Sequence, residues 1–368
     1  MKKKILFLLS TLNGGGAEKV LIDILRNLDG EKYDITVCTL FNEGVYIKEL
    51  PECVTHRYVF RRRIGVVYSV FWRMLKYLPR RWMYKLFIRG KYDVEVAFLE
   101  GLATMLLSGS DCPNKIAWLH TDIVNHDDYI APYHRSDEHI LENYRQYDKV
   151  VFVSEQGRSQ FEKRFGPLET GRVIYNLIDK KVIEDRSREF IPGEDPGVPV
   201  VCTVGRFIPV KGYMRLLEVH KKLIGEGIAH KLWFLGIGDE EEKMKAFVAE
   251  NGLSDSVTFW GFQRNPYPYV NRAELYVCSS HAEGYPLSVC EALVLHKPIV
   301  ATNCTGPTEI LRNGDFGLLV ENSEEGIYEG LKSLLTDPVR MEDVRSRAVL
   351  GAEQIDPARI VKQIEDLF

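Results

Sequence analysis

The chain has 368 residues, 45% of them hydrophobic and 27% charged, with a formal net charge of -4; this is the composition of a soluble globular protein long enough for two domains with separate cores. The mildly acidic balance argues against a nucleic-acid binder. Seven cysteines, an odd number with no CxxC and no zinc spacing, predict free thiols in a reducing, cytoplasmic compartment.

Lys2-Lys3-Lys4 followed by Ile5 to Leu9 imitates the start of a secretion signal, but the apolar run is short and leads into glycines. It reads as a buried first strand. No apolar run approaches the ~20 residues of a membrane-spanning helix, so none is expected. Strand and helix patterns then alternate: Lys4 to Leu9, an amphipathic helix over Ala17 to Leu28, a strand over Asp34 to Leu40. Such alternation predicts a parallel sheet with crossover helices. Gly14, Gly15 and Gly16 precede the first helix, where glycines let backbone amides approach a phosphate. They also suit a tight turn, and they are not the GxGxxG of dinucleotide binding.

From Cys53 to Tyr92 no residue is acidic. Arg57, Arg61 to Arg63, Arg73, Lys76, Arg80, Arg81, Lys85, Arg89 and Lys91 alternate there with aromatics, among them Tyr58, Trp72, Tyr77 and Trp82. A basic, aromatic, partly helical stretch over 57–91 suits the surface of an anionic membrane. The bland alternative is a solvated basic face with its aromatics in the core. Val94 to Leu99 and Lys115 to Leu119 are further strands, and the second runs into His120-Thr121-Asp122. Polar residues just beyond a strand's carboxyl end are where open α/β sheets hold ligands, which makes His120 a site candidate. Asp137 to Tyr147 reads as a helix, Lys149 to Val153 as a strand.

Asp179 to Gly197, with many charges, Pro192, Gly193 and Pro196, reads as a linker. After it the alternation restarts. Val198 to Val204 is a strand followed by Gly205 to Gly212, whose Arg206 and Lys211 could neutralise a diphosphate. Lys231 to Leu235 leads to Gly236-Ile237-Gly238-Asp239, and Val257 to Phe259 leads to Gly261-Phe262-Gln263. The strand run Ala273 to Cys278 opens the most informative stretch, Ser279 to Leu293. Gly284 turns into a helix with Pro286 at its first position, and Glu291 lies in an otherwise apolar run, which is costly without a partner. Glu283 and Glu291 flank an anion-ready helix N-terminus. A strand at Pro298 to Ala301, a loop from Asn303 to Glu309 and a helical region from Glu324 complete the chain. The pattern predicts an α/β fold of two doubly wound domains in tandem, residues 1–180 and 181–349.

Taken in this order, Gly14 to Glu18, Gly205-Arg206 with Lys211-Gly212, Gly236 to Asp239, and Glu283 separated by seven residues from Glu291 resemble the retaining glycosyltransferases of family 4 across nearly the whole chain. The resemblance implies the GT-B fold: two Rossmann-like domains facing across a cleft, with a C-terminal helix over about 350–368 crossing back to the first. It implies that Arg206 and Lys211 hold the diphosphate of a nucleotide sugar, and that Glu283 contacts the donor sugar near the reacting carbon. Glu291 would bind the ribose hydroxyls. Gly284, Tyr285, Pro286 and Leu287 would face the phosphates, with Gly15 and Gly16 closing on them. His120 would lie near donor sugar and acceptor, and Phe262 and Gln263 would meet the base. Catalytic roles thus fall to Glu283, Arg206, Lys211 and His120. The co-substrate would be a uridine diphosphate sugar, with guanosine diphosphate mannose second, and neither metal nor cofactor is expected. The acceptor would be a saccharide or lipid-linked saccharide at the cytoplasmic face of the membrane. The prolines of Gly261 to Tyr269 depart from the family pattern, which bears on the base contacts. A nucleotide-sugar epimerase of the same fold and a non-catalytic, membrane-docking nucleotide-sugar binder are the alternatives.

Overall fold

The computed structural model describes residues 1–62, 65–121, 134, 136–193 and 197–368, except the side chains of residues 66, 67 and 72. Arg63, Asp122, Pro196 and the Trp72 side chain, noted above, lie outside these. The chain divides into two compact units, Met1–Leu177 with Pro357–Phe368, and Ile178–Asp356.

In the first unit the described strands are β1 (Lys3–Leu9), β2 (Tyr33–Phe41), β3 (Thr55–Phe60), β4 (Val94–Ala97), β5 (Lys115–Leu119), β6 (Lys149–Phe152) and β7 (Gly171–Val173). They form one parallel sheet in the order β3-β2-β1-β4-β5-β6-β7. Ile5 to Leu9 are wholly buried, because a central parallel strand is covered on both faces and needs a continuous apolar run rather than alternation. The amphipathic pattern after the glycines becomes the helix Gly16–Asn27, which buries Val20, Leu21, Ile24 and Leu25. The last helix, Pro357–Glu365, belongs to this unit. Its end is held by Lys149 Nζ and Asn114 Nδ2, which donate to the Leu367 carbonyl at 2.5 and 2.9 Å, and by edge-on contact of Phe368 with Phe7 and Tyr33.

The second unit contains β8 (Val200–Val204), β9 (Lys231–Leu235), β10 (Val257–Gly261), β11 (Leu275–Cys278), β12 (Ile299–Thr302) and β13 (Leu318–Val320). These form a parallel sheet in the order β10-β9-β8-β11-β12-β13. Both sheets therefore reverse strand order beside their first strand, β1 against β4 and β8 against β11. Crossovers diverge at such a point and leave a crevice at the strands' carboxyl ends.

Three local readings are corrected. The supposed linker begins with a helix, Lys180–Arg186, because the Asp179 carboxylate caps it at Val182 N (3.0 Å) and Ile183 is buried. Asn303 to Glu309 is not all loop: Thr305–Ile310 is helical, with Pro307 in its first turn, where no amide is needed. Pro286 is the N-cap rather than the first residue of its helix, which runs Leu287–Val294. In the basic segment, β3 pairs in parallel with β2 at the sheet's edge; one open side leaves it without the apolar run that marks the inner strands.

Candidate active site

The second unit's switch point is built by two loops. One, Gly205 to Gly212, joins β8 to the helix Tyr213–Gly225; the other, Ser279 to Pro286, joins β11 to the helix Leu287–Val294. Gly212 has φ 66°, and a Cβ there would lie 2.2 Å from the Ser279 carbonyl oxygen, so only glycine lets the loops touch. Ser279 Oγ donates to the Lys211 carbonyl at 2.9 Å, and the His281 amide donates to the Val210 carbonyl at 2.7 Å.

This contact brings Lys211 to Glu283. Lys211 Nζ donates to Glu283 Oε1 at 2.6 Å, and Ser280 Oγ donates to the same oxygen at 2.5 Å. Burial alone would lower the Lys211 pKa, but the charge and hydrogen bond of Glu283 outweigh it and hold the ammonium above its ordinary value. Arg206 is exposed on the same loop, and its positive charge reaches Lys211, opposing protonation there. The result is a fixed cation, a second, exposed cation and a carboxylate with one oxygen anchored, at the carboxyl end of a doubly wound sheet. Such a group can receive an anionic leaving group on one side and a hydroxyl on the other.

Two positioning residues had no reading in the sequence. Arg215 donates from Nε and Nη2 to the Ser279 carbonyl at 3.0 and 2.5 Å, and from Nη2 to Asn322 Oδ1 at 2.8 Å. Asn322 Nδ2 in turn donates to the His281 carbonyl at 2.9 Å. The signal for Arg215 was its place in the first turn of the helix that follows the Gly205–Gly212 loop. Asn322 follows a short edge strand and carried none.

Glu291 lies in the helix Leu287–Val294 and is only 6% exposed, so its carboxylate does not reach out to solvent. Tyr267 Oη donates to its Oε1 at 3.4 Å. Ahead of that helix, the Gly306 amide donates to the Glu283 carbonyl at 3.0 Å, and a Cβ on Gly306 would meet Pro286 Cδ at 2.5 Å. Gly284, Tyr285, Pro286 and Leu287 are thereby fixed at the helix N-terminus. Phe262 is 46% exposed. The neighbouring Gln263 spends its amide internally, donating to the Trp260 carbonyl at 2.6 Å and accepting from Tyr269 Oη at 3.2 Å.

The other predicted residues belong to the first unit. His120 follows β5 and packs on Phe98 (centroids 4.6 Å apart) and Trp118 (6.1 Å, stacked). Its ring nitrogens are buried and without hydrogen-bond partners among the described residues, and burial pushes its pKa down to about 3, so the imidazole is neutral. Its amide donates to Glu100 Oε2 at 3.1 Å, which ties the ends of β4 and β5 together. Gly15 is the N-cap and Gly16 the first residue of the first helix. A Cβ on Gly15 would lie 2.2 Å from Glu18 Oε2, so the chain's own carboxylate folds back over this helix N-terminus.

Two family models tile the chain: Glycosyltransferase Family 4 over residues 14–182, and Glycosyl transferases group 1 over residues 184–350. The chain is 25% identical over 373 residues, spanning 98% of both chains, to an N-acetylgalactosamine-N,N'-diacetylbacillosaminyl-diphospho-undecaprenol 4-alpha-N-acetylgalactosaminyltransferase of Campylobacter jejuni. It is 30% identical over 169 residues to the lipopolysaccharide core biosynthesis glycosyltransferase LpsE of Rhizobium meliloti, covering 45% of this chain and 48% of that one. Its fold matches that of Anabaena Alr3699/HepE in complex with UDP and glucose, with a TM-score of 0.78, 19% identity and coverage of 99% and 98%. It likewise matches sucrose-phosphate synthase of Thermosynechococcus elongatus, with a TM-score of 0.77, 16% identity and coverage of 100% and 98%. With both models matched in sequence order and both Rossmann-like sheets present, the chain belongs to the family 4 glycosyltransferases of GT-B fold.

Proposed function

We propose that this glycosyltransferase moves a sugar from a uridine diphosphate donor to a saccharide or lipid-linked saccharide, with retention of configuration and without a metal ion, in surface polysaccharide or glycolipid synthesis. The observation that carries the reading is the Lys211–Glu283 contact at the switch point, with Arg206 beside it. As the bond from the anomeric carbon to the phosphate oxygen breaks, negative charge grows on the diphosphate. Lys211, fixed, and Arg206, exposed beside it, meet that charge as cations, the role a divalent metal fills elsewhere. Glu283 Oε1 is committed to Lys211 and Ser280, which leaves Oε2 for a donor-sugar hydroxyl next to the reacting carbon. The acceptor hydroxyl attacks from the face the leaving group vacates, and its proton passes to the departing phosphate oxygen. No strongly basic side chain is needed. Glu291, buried and fixed by Tyr267, suits the ribose hydroxyls. His120, neutral in an apolar wall, suits a sugar hydroxyl rather than a phosphate.

The UDP in the Anabaena structure supports the choice of nucleotide, and the undecaprenol-linked acceptor in the name of the Campylobacter relative supports a lipid-linked acceptor. The segment 57–91 supports peripheral attachment to an anionic, cytoplasmic membrane face: Tyr58, Val70, Tyr77, Leu78, Trp82 and Leu86 are exposed among its cations. No helix among the described residues is long and apolar enough to cross a membrane.

The test is a thermal-shift screen of nucleotide sugars, followed by incubation of the stabilising donor with glycan acceptors and assignment of the product anomer by NMR. An α-linked product from an α-linked donor, formed equally in a chelator, is expected. Activity lost in chelator and restored by magnesium or manganese would sink metal independence, and an inverted anomer would sink retention. A new sugar nucleotide formed without acceptor would make the protein an epimerase, and donor binding with no turnover a scaffold.

A further inference from the structure

The transfer chemistry makes no use of the first unit's paired helices, Gly65–Tyr77 and Arg80–Phe87. Their inner sides are firmly seated. Phe71, Leu75 and Met83 are buried, Tyr84 Oη donates to the buried Glu95 at 2.5 Å, and Arg80 reaches Asn143 Oδ1 at 2.6 Å and His139 Nε2 at 2.7 Å. A Cβ on Gly109 would lie 2.3 Å from the Arg80 carbonyl, so the loop before β5 lies flush against the helix junction. The outer side is arranged differently. Arg81 and Lys85 form one stripe of the second helix, one turn apart, and Trp82 and Leu86, 71% and 61% exposed, form the next.

At the junction opens a groove of about 740 Å³ on the edge where the strands begin, opposite the edge that carries His120. Its charged lining is Lys76, Arg80, Arg81 and Lys115 against Asp111 and Glu142. Tyr77 and Leu78 also line it and are 65% and 44% exposed. The Arg81–Asp111 pair, at 2.8 Å, has both side chains more than half exposed, so it is weak and can yield to a better anion. A soluble anion would meet the charge of these cations but leave the large apolar side chains in water. A lipid satisfies both.

We propose that this groove binds the phosphate of an anionic glycerophospholipid head group, while Tyr77, Leu78, Trp82 and Leu86 enter the boundary between head groups and acyl chains. The site rests on the membrane attachment proposed above and adds to it a definite head-group pocket, in place of diffuse attraction between a basic surface and a charged bilayer.

The full-length protein is tested by co-sedimentation with phosphatidylcholine vesicles with and without phosphatidylglycerol, and by calorimetric titration with dihexanoyl-phosphatidylglycerol below its micelle concentration. Lys76→Glu with Arg81→Glu reverses two groove charges; Trp82→Ser with Leu86→Ser removes the apolar stripe. Unfolding curves matching wild type qualify each variant, and Lys76→Ala with Arg81→Ala replaces the charge reversal if that variant unfolds early. Expected are binding of the short-chain lipid by the wild type, loss of that binding in the groove variant, and a fall of at least about tenfold in vesicle partition for both variants. Activity on a water-soluble acceptor should be unchanged. Vesicle binding that survives groove reversal, or occurs without short-chain lipid binding, overturns the pocket and leaves membrane attachment standing. Failure of phosphatidylglycerol vesicles to retain the wild type at low salt overturns both.

Discussion

Lys211 and Glu283 meet at 2.6 Å although 72 residues separate them in sequence, with side chains only 19% and 13% exposed. Removing water from two charges is costly, and here each offsets the other's cost while Ser280 supplies a further hydrogen bond. The pair should act as one unit in catalysis. Lys211→Ala and Glu283→Gln are each expected to lower kcat by about 10²-fold or more. The double variant should lose little beyond the worse single one, because neither residue works without the other. Steady-state kinetics of the four-membered cycle measures this; multiplicative losses would mean that the contact has no part in turnover.

The two carboxylates separated by seven residues should fail differently. Glu283→Gln should depress kcat more than donor affinity. Glu291→Gln should weaken donor binding by about tenfold, the loss of roughly one charge-assisted hydrogen bond, with kcat nearly kept. Donor titration by calorimetry beside kcat separates the cases, and equal effects at both positions would undo the division.

Arg215 touches neither lysine nor glutamate, yet it holds the Ser279 carbonyl with two donors and, through Asn322, steadies the carbonyl of His281. Arg215→Gln should cost about tenfold in kcat by loosening the loop that presents Glu283, with a small change in donor affinity. Lysine, which cannot supply the planar fork, should restore only part. Gly212→Ala at φ 66° is expected to destabilise the unit by about 1–2 kcal/mol from the backbone alone, and more from the clash with Ser279. Full activity in Arg215→Gln would remove Arg215 from the positioning residues.

A buried histidine pair gives the second unit an acid limit. His230 Nδ1 donates to the Ile228 carbonyl at 2.8 Å, so its Nε2 accepts from His220 Nδ1 at 2.8 Å; His220 Nε2 then takes the one proton of Ser256 Oγ at 2.8 Å in preference to the Leu253 carbonyl at 3.1 Å, which already accepts from two amides. Every position is satisfied with both rings neutral. Burial pushes the His220 pKa down to about 3 and lowers that of His230. The unfolded chain therefore takes up these protons first, near the ordinary value of 6.5. The stabilisation is complete above that pH and is lost as pH falls from there, for His220 down to about 3, at ~1.4 kcal/mol per pH unit for each ring that is protonated only in the unfolded chain. Thermal unfolding between about pH 7 and about pH 5 should show a falling Tm, and His220→Gln with His230→Gln should flatten it. A slope unchanged in that variant would place the acid sensitivity elsewhere.

Where the chain is locally decisive, the residues alone were enough. The apolar run Ile5 to Leu9, the glycines ahead of the first helix, and the Glu283–Glu291 spacing marked parallel strands, their turns and the candidate site's carboxylates. Where an element depends on a distant neighbour, they were not. β3 is a strand because β2 lies beside it, and the helix Lys180–Arg186 forms in a charged stretch because Asp179 caps it and Ile183 finds a core.

The same distinction runs through the site. By itself the sequence determined which chemical groups this protein has to work with, two cations on one loop, a carboxylate on another and a second carboxylate in the helix that follows it, since residue type and short-range spacing are local properties. Only the tertiary structure decided that Lys211 rather than Arg206 takes Glu283, that Arg215 and Asn322 hold the loops together, and that Gln263 spends its amide on its own loop. Partner choice among like groups is a matter of ångströms between segments far apart in the chain, and strand order and packing fix those distances.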